Sequence, residues 1–462
     1  MTYREIVSGI YNVGVVDALE REFHVHEIGR GTSYNSFLIK DTKITLIDTV
    51  KENFAHQFID NIKACLHGKQ GDTGDDEILK QIQIIYVLHT EPDHNGSLRT
   101  LHSLCPDAEI VCGKMVKQNL LRWYPESKDW KIHVVANNEK ISTGEYSLQL
   151  IETPLLHWND STFAYMAERK LLFTSDAFGQ HIGNNLNTDS DLGEDDLLVQ
   201  MKVYYAQVFS QVVNPTLKMV KDIEKASTGK ATETTAGCEW KSGFDSSGID
   251  GILPAHGVCL LKKSTIERSV RLYRRWAEQV PCRKVVILYE SIYDTVGKIA
   301  RTMRASIERC AAEEAMKIAS SSATPSGTAA PAPVVVEFMC ARRNTVLDIV
   351  GEILDAPVVL IGSATFNNAI LPNLMKMLHT IRSYKWKEKK VVLFGAYGWT
   401  QLAMKELEKI VVEEMKWKPL CPLISCINEM DAATEEKAKE AGVLAFKAAM
   451  EIGLPGGCLA LE

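Results

Sequence analysis

Four side chains able to hold a metal fall within six residues, His89-Thr-Glu91-Pro-Asp93-His94, directly after the apolar run Ile84–Leu88. Alternation along an extended chain places His89 and Glu91 on one side, while Asp93 and His94 turn toward a neighbouring point. One segment can then serve two metals. Three further candidates also follow short apolar runs: His157, Asp176 and His256. All seven are expected at strand ends, where loops from different strands converge on one edge of a fold. A lone histidine after a strand, or an aspartate capping the next helix, has a plain structural reading. The six-residue cluster does not. The set divides into His89, Glu91 and His157 on one metal and Asp93, His94 and His256 on the other, with Asp176 between them. Imidazole and carboxylate without thiolate suit iron, manganese or zinc, and disfavour copper(I) or iron–sulfur chemistry. Charged oxygen ligands stabilise Fe(III) as well as Fe(II), so such a pair can hold two irons through changes of oxidation state.

A second constellation lies in the last third of the chain. After the apolar run Val285–Leu288 come Ser291, Ile292, Tyr293, Asp294 and Thr295, and then a helical pattern. Hydroxyls and free N–H groups at a helix start make a phosphate cradle without a positive side chain. The absence of Lys and Arg inside this loop suits a phosphomonoester held by hydroxyls and amides. Neither Gly-x-Gly-x-x-Gly nor Gly-Lys-Ser/Thr is present here, which argues against dinucleotide or ATP binding. Two later loops follow apolar runs in the same way. One holds Ser363, Ala364, Thr365, Phe366, Asn367 and Asn368, and the other Ala396, Tyr397, Gly398 and Trp399. Aromatic residues beside glycines offer a flat ring both stacking and close backbone approach.

The elements that must position these residues divide near Val280. Up to about residue 280 the sequence alternates short apolar runs with helical stretches, which predicts an α/β layered fold with two sheets. The small, polar stretch 225–250 reads as a surface loop. From Val285 the strands become continuously apolar: Val285–Tyr289, Val334–Phe338, Pro357–Ile361, Val391–Phe394 and Pro422–Ile427. Such strands separated by helices predict a parallel sheet covered on both faces, in the order 2-1-3-4-5. A long amphipathic helix is expected over 295–319. The Ser/Ala/Pro-rich tract, about 319–333, is low in complexity and is read as a loop inside the second domain. The expected domains are 1–280 and 281–462.

Composition narrows the class. The 462 residues carry 52 Lys+Arg against 59 Asp+Glu, a net charge of −7, where a nucleic-acid binder would present a basic balance. No run of about 18 apolar residues occurs, so no membrane span is expected. The start, Met1-Thr2-Tyr3-Arg4, does not read as a secretory signal. The 11 cysteines are odd in number and form no Cys-x-x-Cys, which removes rubredoxin-like iron, zinc-ribbon and thioredoxin readings. Reduced thiols in a cytoplasmic enzyme are expected.

The motif His89-x-Glu91-x-Asp93-His94, followed by His157, Asp176 and His256, resembles the metallo-β-lactamase-like module of flavodiiron proteins. The likeness extends to Asn95–Leu98 and Ser175–His181 and covers most of residues 20–260. Asn159 stands where the family commonly has proline, and Asn95 where a small residue is usual; neither removes a ligand. The three later loops resemble a flavodoxin FMN site, and flavodiiron proteins end in such a domain. The resemblance implies an α/β chain: an N-terminal αββα sandwich of metallo-β-lactamase type, then a flavodoxin-like doubly wound parallel sheet. It implies two irons and FMN, with Ser291–Thr295 on the phosphate and Thr365–Asn368 and Tyr397–Trp399 flanking the isoalloxazine. His24 and a tyrosine of the Tyr204–Tyr205 pair would stand beside the irons. Reduction of O2 to water takes four electrons and of two NO to N2O takes two; two Fe(II) and reduced FMN together hold four. The implied assembly is a head-to-tail homodimer, able to pair into a dimer of dimers. Electrons are expected from a separate donor: rubredoxin, reduced flavin or an NAD(P)H-linked reductase. The alternative is a zinc hydrolase fused to a flavodoxin electron carrier. Glu91, where hydrolases of that superfamily carry His, argues against it.

Overall fold

The structure, a computed structural model, describes residues 3–69, 75–228, 248–320, 334–386 and 388–452. Most of the polar stretch at 225–250 and of the Ser/Ala/Pro tract lies outside them. The chain divides into two compact units, Met1–Phe23 with Ile28–Ala277, and His24–Glu27 with Glu278–Glu462.

The first unit is built on two sheets. One has seven strands in the order Arg4–Val7, Ile10–Asn12, Phe37–Ile39, Ile44–Ile47, Ile82–Val87, Glu109–Gly113 and Ile132–Val135. The other has five, Lys140–Ser142, Ser147–Glu152, Thr162–Met166, Leu171–Phe173 and Gly251–Leu253. Their inner faces meet in one apolar core that includes Ile47, Ile84, Tyr86 and Val111 from the first sheet and Leu148, Leu150, Phe173 and Leu253 from the second. Burial of these β-branched and aromatic side chains is the main driving term for the sandwich. Helix Lys114–Trp123 covers strand Glu109–Gly113 and helix Lys263–Ala277 covers strand Gly251–Leu253, completing four layers.

Register places the candidate ligands. Strands Leu171–Phe173 and Gly251–Leu253 run parallel with Phe173 opposite Leu253, so Asp176 and His256 each follow three residues past the last pair. Ala255 N–H donates to Ser175 O at 2.7 Å and keeps the two loops together. Between the sheets, Thr162 N–H donates to Leu88 O at 3.1 Å and brings the loop carrying His157 against the end of strand Ile82–Val87.

The second unit is a parallel sheet in the order Val335–Cys340, Lys284–Glu290, Val358–Phe366, Lys390–Tyr397, then a fifth position. That is the 2-1-3-4-5 order. The fifth position differs from the single strand expected over Pro422–Ile427. It is split into Lys418–Pro419 and Ile424–Ile427, both pairing with Lys390–Tyr397. Pro422 has no N–H to give to a ladder, which fits a break there. Helices Thr295–Ser320 and Ala432–Ile452 cover one face through Val296, Ile299, Met303, Ala441 and Ala445. Their close approach depends on Gly442, where a Cβ would lie 2.5 Å from Met303 O. Helices Val346–Leu354 and Pro372–Ser383 pack on the other face, against strand Lys284–Glu290. Among the described residues no helix is long and apolar enough to cross a membrane.

Candidate functional site

Apart from the exposed Gln83, the strand Ile82–Val87 is buried, and it delivers His89 directly from its end. Pro92 then starts a short helix, Pro92–Asn95, that turns Asp93 and His94 away from Glu91. Three loops of the first unit add His157, Asp176 and His256. The seven candidates come together: His89, Glu91, His94 and Asp176 form one group whose nitrogen and oxygen atoms all lie within 4.8 Å, and Asp93, His94 and His256 form another.

Asp176 sits between two sets of imidazoles. Its Oδ2 lies 3.5 Å from His157 Nε2 and 3.7 Å from His89 Nε2. Its Oδ1 lies 3.1 Å from His94 Nε2 and 3.3 Å from His256 Nε2. Glu91 Oε2 completes the first set, 3.2 Å from His89 Nε2 and 3.1 Å from His157 Nε2. Asp93 completes the second, 3.6 Å from His94 Nε2 through Oδ1 and 3.4 Å from His256 Nε2 through Oδ2.

The electrostatics of this cluster demand positive charge. Burial would lower the imidazole pKa values, but neighbouring carboxylates outweigh it, Asp160, Glu91 and Asp176 at His89, Asp176 and Asp93 at His94, Asp176 and Glu91 at His157, and push all three up to about 10. Burial would raise Asp176, yet the His94, His157 and His256 imidazoles hold it well below the usual carboxylate range. Both Asp93 oxygens, Asp176 Oδ2 and His256 Nε2 are buried without a hydrogen-bond partner. Buried polar atoms are rarely left this way unless something else satisfies them. A metal pair would satisfy all four.

Partners behind the ligands fix their tautomers. His89 Nδ1 lies 3.0 Å from Asp160 Oδ1, so it carries the proton and leaves Nε2 for the centre. Asp160 Oδ2 accepts from Thr90 N–H at 3.0 Å and from the Thr90 hydroxyl. Burial works against the Asp160 charge, but His89 and Thr90 hold its pKa down to about 2. His256 Nδ1 likewise donates to Ser33 O at 2.7 Å. The neighbouring Gly257 has φ 81, and a Cβ there would meet Gln180 Oε1 at 2.2 Å, so only glycine fits this turn. Asp48 accepts from Leu88 N–H at 2.7 Å and ties the end of the ligand-bearing strand to its neighbour. None of Asp160, Ser33 or Asp48 is marked in the sequence, because each acts on a residue 40 or more positions away.

The residues expected beside the centre fare differently. Tyr204, on helix Glu194–Val208, donates its hydroxyl to Asp176 Oδ1 at 3.0 Å. Tyr205 points elsewhere, into a ring cluster with Tyr273 and Trp276 at centroid distances of 5.0 and 5.2 Å. Successive helix positions are 100° apart, so the two cannot share a direction. His24 is exposed at the turn between strands Glu22–Phe23 and His26–Glu27, with φ 47, and is not among the buried groups.

Residues 33–227 match the model of the ODP family of β-lactamase-like domains. Over 408 residues the chain is 32% identical to a nitric oxide reductase of Moorella thermoacetica, covering 87% of this chain and 88% of that protein. The chain belongs to the flavodiiron proteins. The fold agrees with this flavodiiron assignment over nearly the whole length. The rubredoxin oxygen:oxidoreductase of Desulfovibrio gigas superposes with a TM-score of 0.80 at 26% identity, covering 97% of this chain and 99% of that one. The flavodiiron protein of Giardia intestinalis shares the fold, with a TM-score of 0.81 at 24% identity and 98% coverage of both.

In this flavodiiron chain the three later loops all lie at the carboxyl ends of parallel strands in the second unit. Each presents an exposed aromatic side chain: Tyr293 is 88% exposed, Trp399 91% and Phe366 45%. Asn367 and Asn368, at φ 48 and 63, make the two-residue turn joining Phe366 to Ala369. Thr365 donates to Thr400 O at 3.3 Å and links two of the loops. Gln401 donates to the Tyr397 hydroxyl at 2.6 Å, beside the exposed Gly398. Ser363 is fully buried, its hydroxyl shared between Ala364 O and Leu371 N–H, and Ala396 is buried beside it. In the first loop Ile292 is exposed, and Thr295 donates to Asn428 O at 2.7 Å. The loop itself holds no Lys or Arg, but positive charge reaches it from outside. Arg301 from the following helix and Arg342 from the end of strand Val335–Cys340 both reach it, pairing with Asp294 and Ser291 O.

Proposed function

We infer that this chain is an oxidoreductase that reduces O2 to water, and NO to N2O, at a non-haem diiron centre fed by FMN. The observation that carries the reading is the position of Asp176, one oxygen toward His89 and His157 and the other toward His94 and His256. A carboxylate so placed can bridge two metals. The donors are nitrogen and oxygen throughout, which suits iron in both oxidation states. His89, Glu91 and His157 would hold one iron, Asp93, His94 and His256 the other, with Asp176 shared. When bound, the two irons and the flavin supply the four electrons that O2 reduction needs, or the two needed by a pair of NO molecules.

The chain's own residues keep that centre in order. Asp160 and Ser33 O hold the Nδ1 protons of His89 and His256, so each ring turns Nε2 inward. Tyr204 holds its proton on Oη: burial and the Asp176 charge push its pKa well above the ordinary value, so it donates to Asp176 and does not act as a base. In the second unit, Tyr293, Phe366, Tyr397 and Trp399 offer faces for a flavin ring, and Ser291–Thr295 offers N–H groups for its phosphate.

Electrons would arrive from a separate donor, and the name of the Desulfovibrio gigas relative points to rubredoxin as the kind of protein to try. A head-to-tail homodimer in the cytoplasm, with the flavin of one chain serving the irons of the other, belongs to the same proposal. Metal and flavin analysis of the purified chain tests the reading. About two irons and about one FMN per chain, with a Mössbauer signal of coupled irons, is the expected result. Zinc without iron would overturn it and favour the hydrolase.

A further inference from the structure

We propose that Arg301, Arg342 and Arg343 form a guanidinium pocket beside the loop Ser291–Thr295 and that it takes the phosphate end of a flavin nucleotide. This inference rests on the flavin reading above and adds to it a charged subsite that the loop's own sequence does not contain.

The pocket is a cavity of about 490 Å³ lined by Ser291, Asp294, Cys340 and the three arginines. Register builds it. Strands Lys284–Glu290 and Val335–Cys340 run parallel with Tyr289 opposite Cys340. Ala341 N–H donates to Tyr289 O at 2.9 Å, and the chain then turns through Arg343 N–H to Cys340 O at 2.9 Å. Arg342 and Arg343 therefore emerge beside Ser291. Arg342 donates to Ser291 O, and its Nε lies 3.7 Å from the buried Glu290.

Asp294 would by itself repel a phosphate from the loop. It has φ 69 and is gripped by Arg301, at 3.2 Å through NH1 and 2.5 Å through NH2. Gly297 leaves the room for this pair, since a Cβ there would meet Asp294 Oδ1 at 2.2 Å. With Asp294 matched by Arg301 and Glu290 facing Arg342, three guanidiniums meet two carboxylates and the pocket keeps one positive charge in excess, that of Arg343. A guanidinium is a planar fork suited to phosphate oxygens, and it stays charged at any working pH. The pocket shares Ser291 and Asp294 with the loop, so an anion in it is continuous with one held by the loop's N–H groups.

Two sources of that phosphate are possible: the single phosphate of FMN, or the second phosphate of FAD. Titration of the full chain, stripped of flavin, with riboflavin, FMN and FAD separates them, read by quenching of flavin fluorescence. The double variant Arg342→Gln/Arg343→Gln is expected to bind FMN about ten- to a hundredfold more weakly than the unaltered chain, with riboflavin unchanged. Riboflavin lacks the phosphate and so serves as the control for folding. A larger loss for FAD than for FMN would assign the pocket to the second phosphate and still support it. The inference is overturned if FMN and riboflavin weaken alike, or if neither FMN nor FAD is affected. Failure of the unaltered chain to bind any of the three would overturn the flavin reading and the pocket with it.

Discussion

The Tyr204 hydroxyl donates to Oδ1 of Asp176 at 3.0 Å, the same oxygen that faces His94 and His256. A neutral donor thus sits on the one carboxylate positioned to join the two halves of the centre. Its partner at the next position, Tyr205, is held in the ring cluster with Tyr273 and Trp276.

Tyr204→Phe removes this hydrogen bond and leaves the ring in place. A buried hydrogen bond to a charged group contributes about 1.5–3 kcal/mol. Iron content is expected to persist, with gas consumption falling roughly tenfold or more. Tyr205→Phe is expected to leave both unchanged. Equal effects from the two substitutions would contradict the asymmetry.

Asp160→Ala leaves His89 Nδ1 and the Thr90 N–H without their acceptor. Loss of a partner behind a metal ligand typically weakens metal binding about 10–100-fold. Chelator competition on the iron-loaded chain should show that loss in iron retention, with flavin content unaffected. Unchanged iron retention would show that Asp160 has no hold on His89.

Trp399 is 91% exposed at the end of strand Lys390–Tyr397, so folding alone gains little from it. Trp399→Ala is expected to leave thermal stability unchanged within about 0.5 kcal/mol. Flavin affinity is expected to fall by roughly two- to tenfold, from the loss of about 0.5–1.5 kcal/mol of ring stacking. The measurement is a flavin titration; an unaltered affinity would remove Trp399 from the flavin site.

Asp41 organises the turn 142–146, accepting from the Thr143 hydroxyl at 2.7 Å and from the N–H groups of Glu145 and Tyr146 at 3.1 and 3.0 Å. Burial would raise its pKa, but these bonds together lower it. A depressed carboxyl contributes stability above its unfolded pKa of about 3.9, and that contribution is lost as pH falls through the folded value. Unfolding of the unaltered chain and of Asp41→Asn should therefore differ most near neutrality and converge below about pH 4. A gap that widens in acid would reverse the sign and refute the assignment.

Much of this arrangement is legible in the sequence, for definable reasons. Each of the seven candidate ligands follows an apolar run, and strand ends in a layered fold converge, so the His89–His94 cluster and three distant residues could be assembled without coordinates. The parallel sheet of the second unit is equally plain, since its strands are apolar on both faces. What escapes is whatever depends on register between distant segments. Asp160 lies three residues from His157 but serves His89, and nothing local marks it. Arg342 reaches Ser291 O, and Arg343 the cavity beside it, through the register that pairs Cys340 opposite Tyr289. The choice between Tyr204 and Tyr205 is a matter of helix rotation, which adjacent identical residues cannot reveal. The split of the fifth strand at Pro422 is a local signal that an apolar run conceals.

Under the proposed function, the use of Asp176 to join two irons is what makes gas reduction possible. It is tested most directly by reducing the iron- and FMN-loaded chain anaerobically and measuring consumption of O2 and of NO separately. Consumption of O2 without release of peroxide, or conversion of NO to N2O, is the expected result. A fully loaded, fully reduced chain that consumed neither gas would contradict the claim.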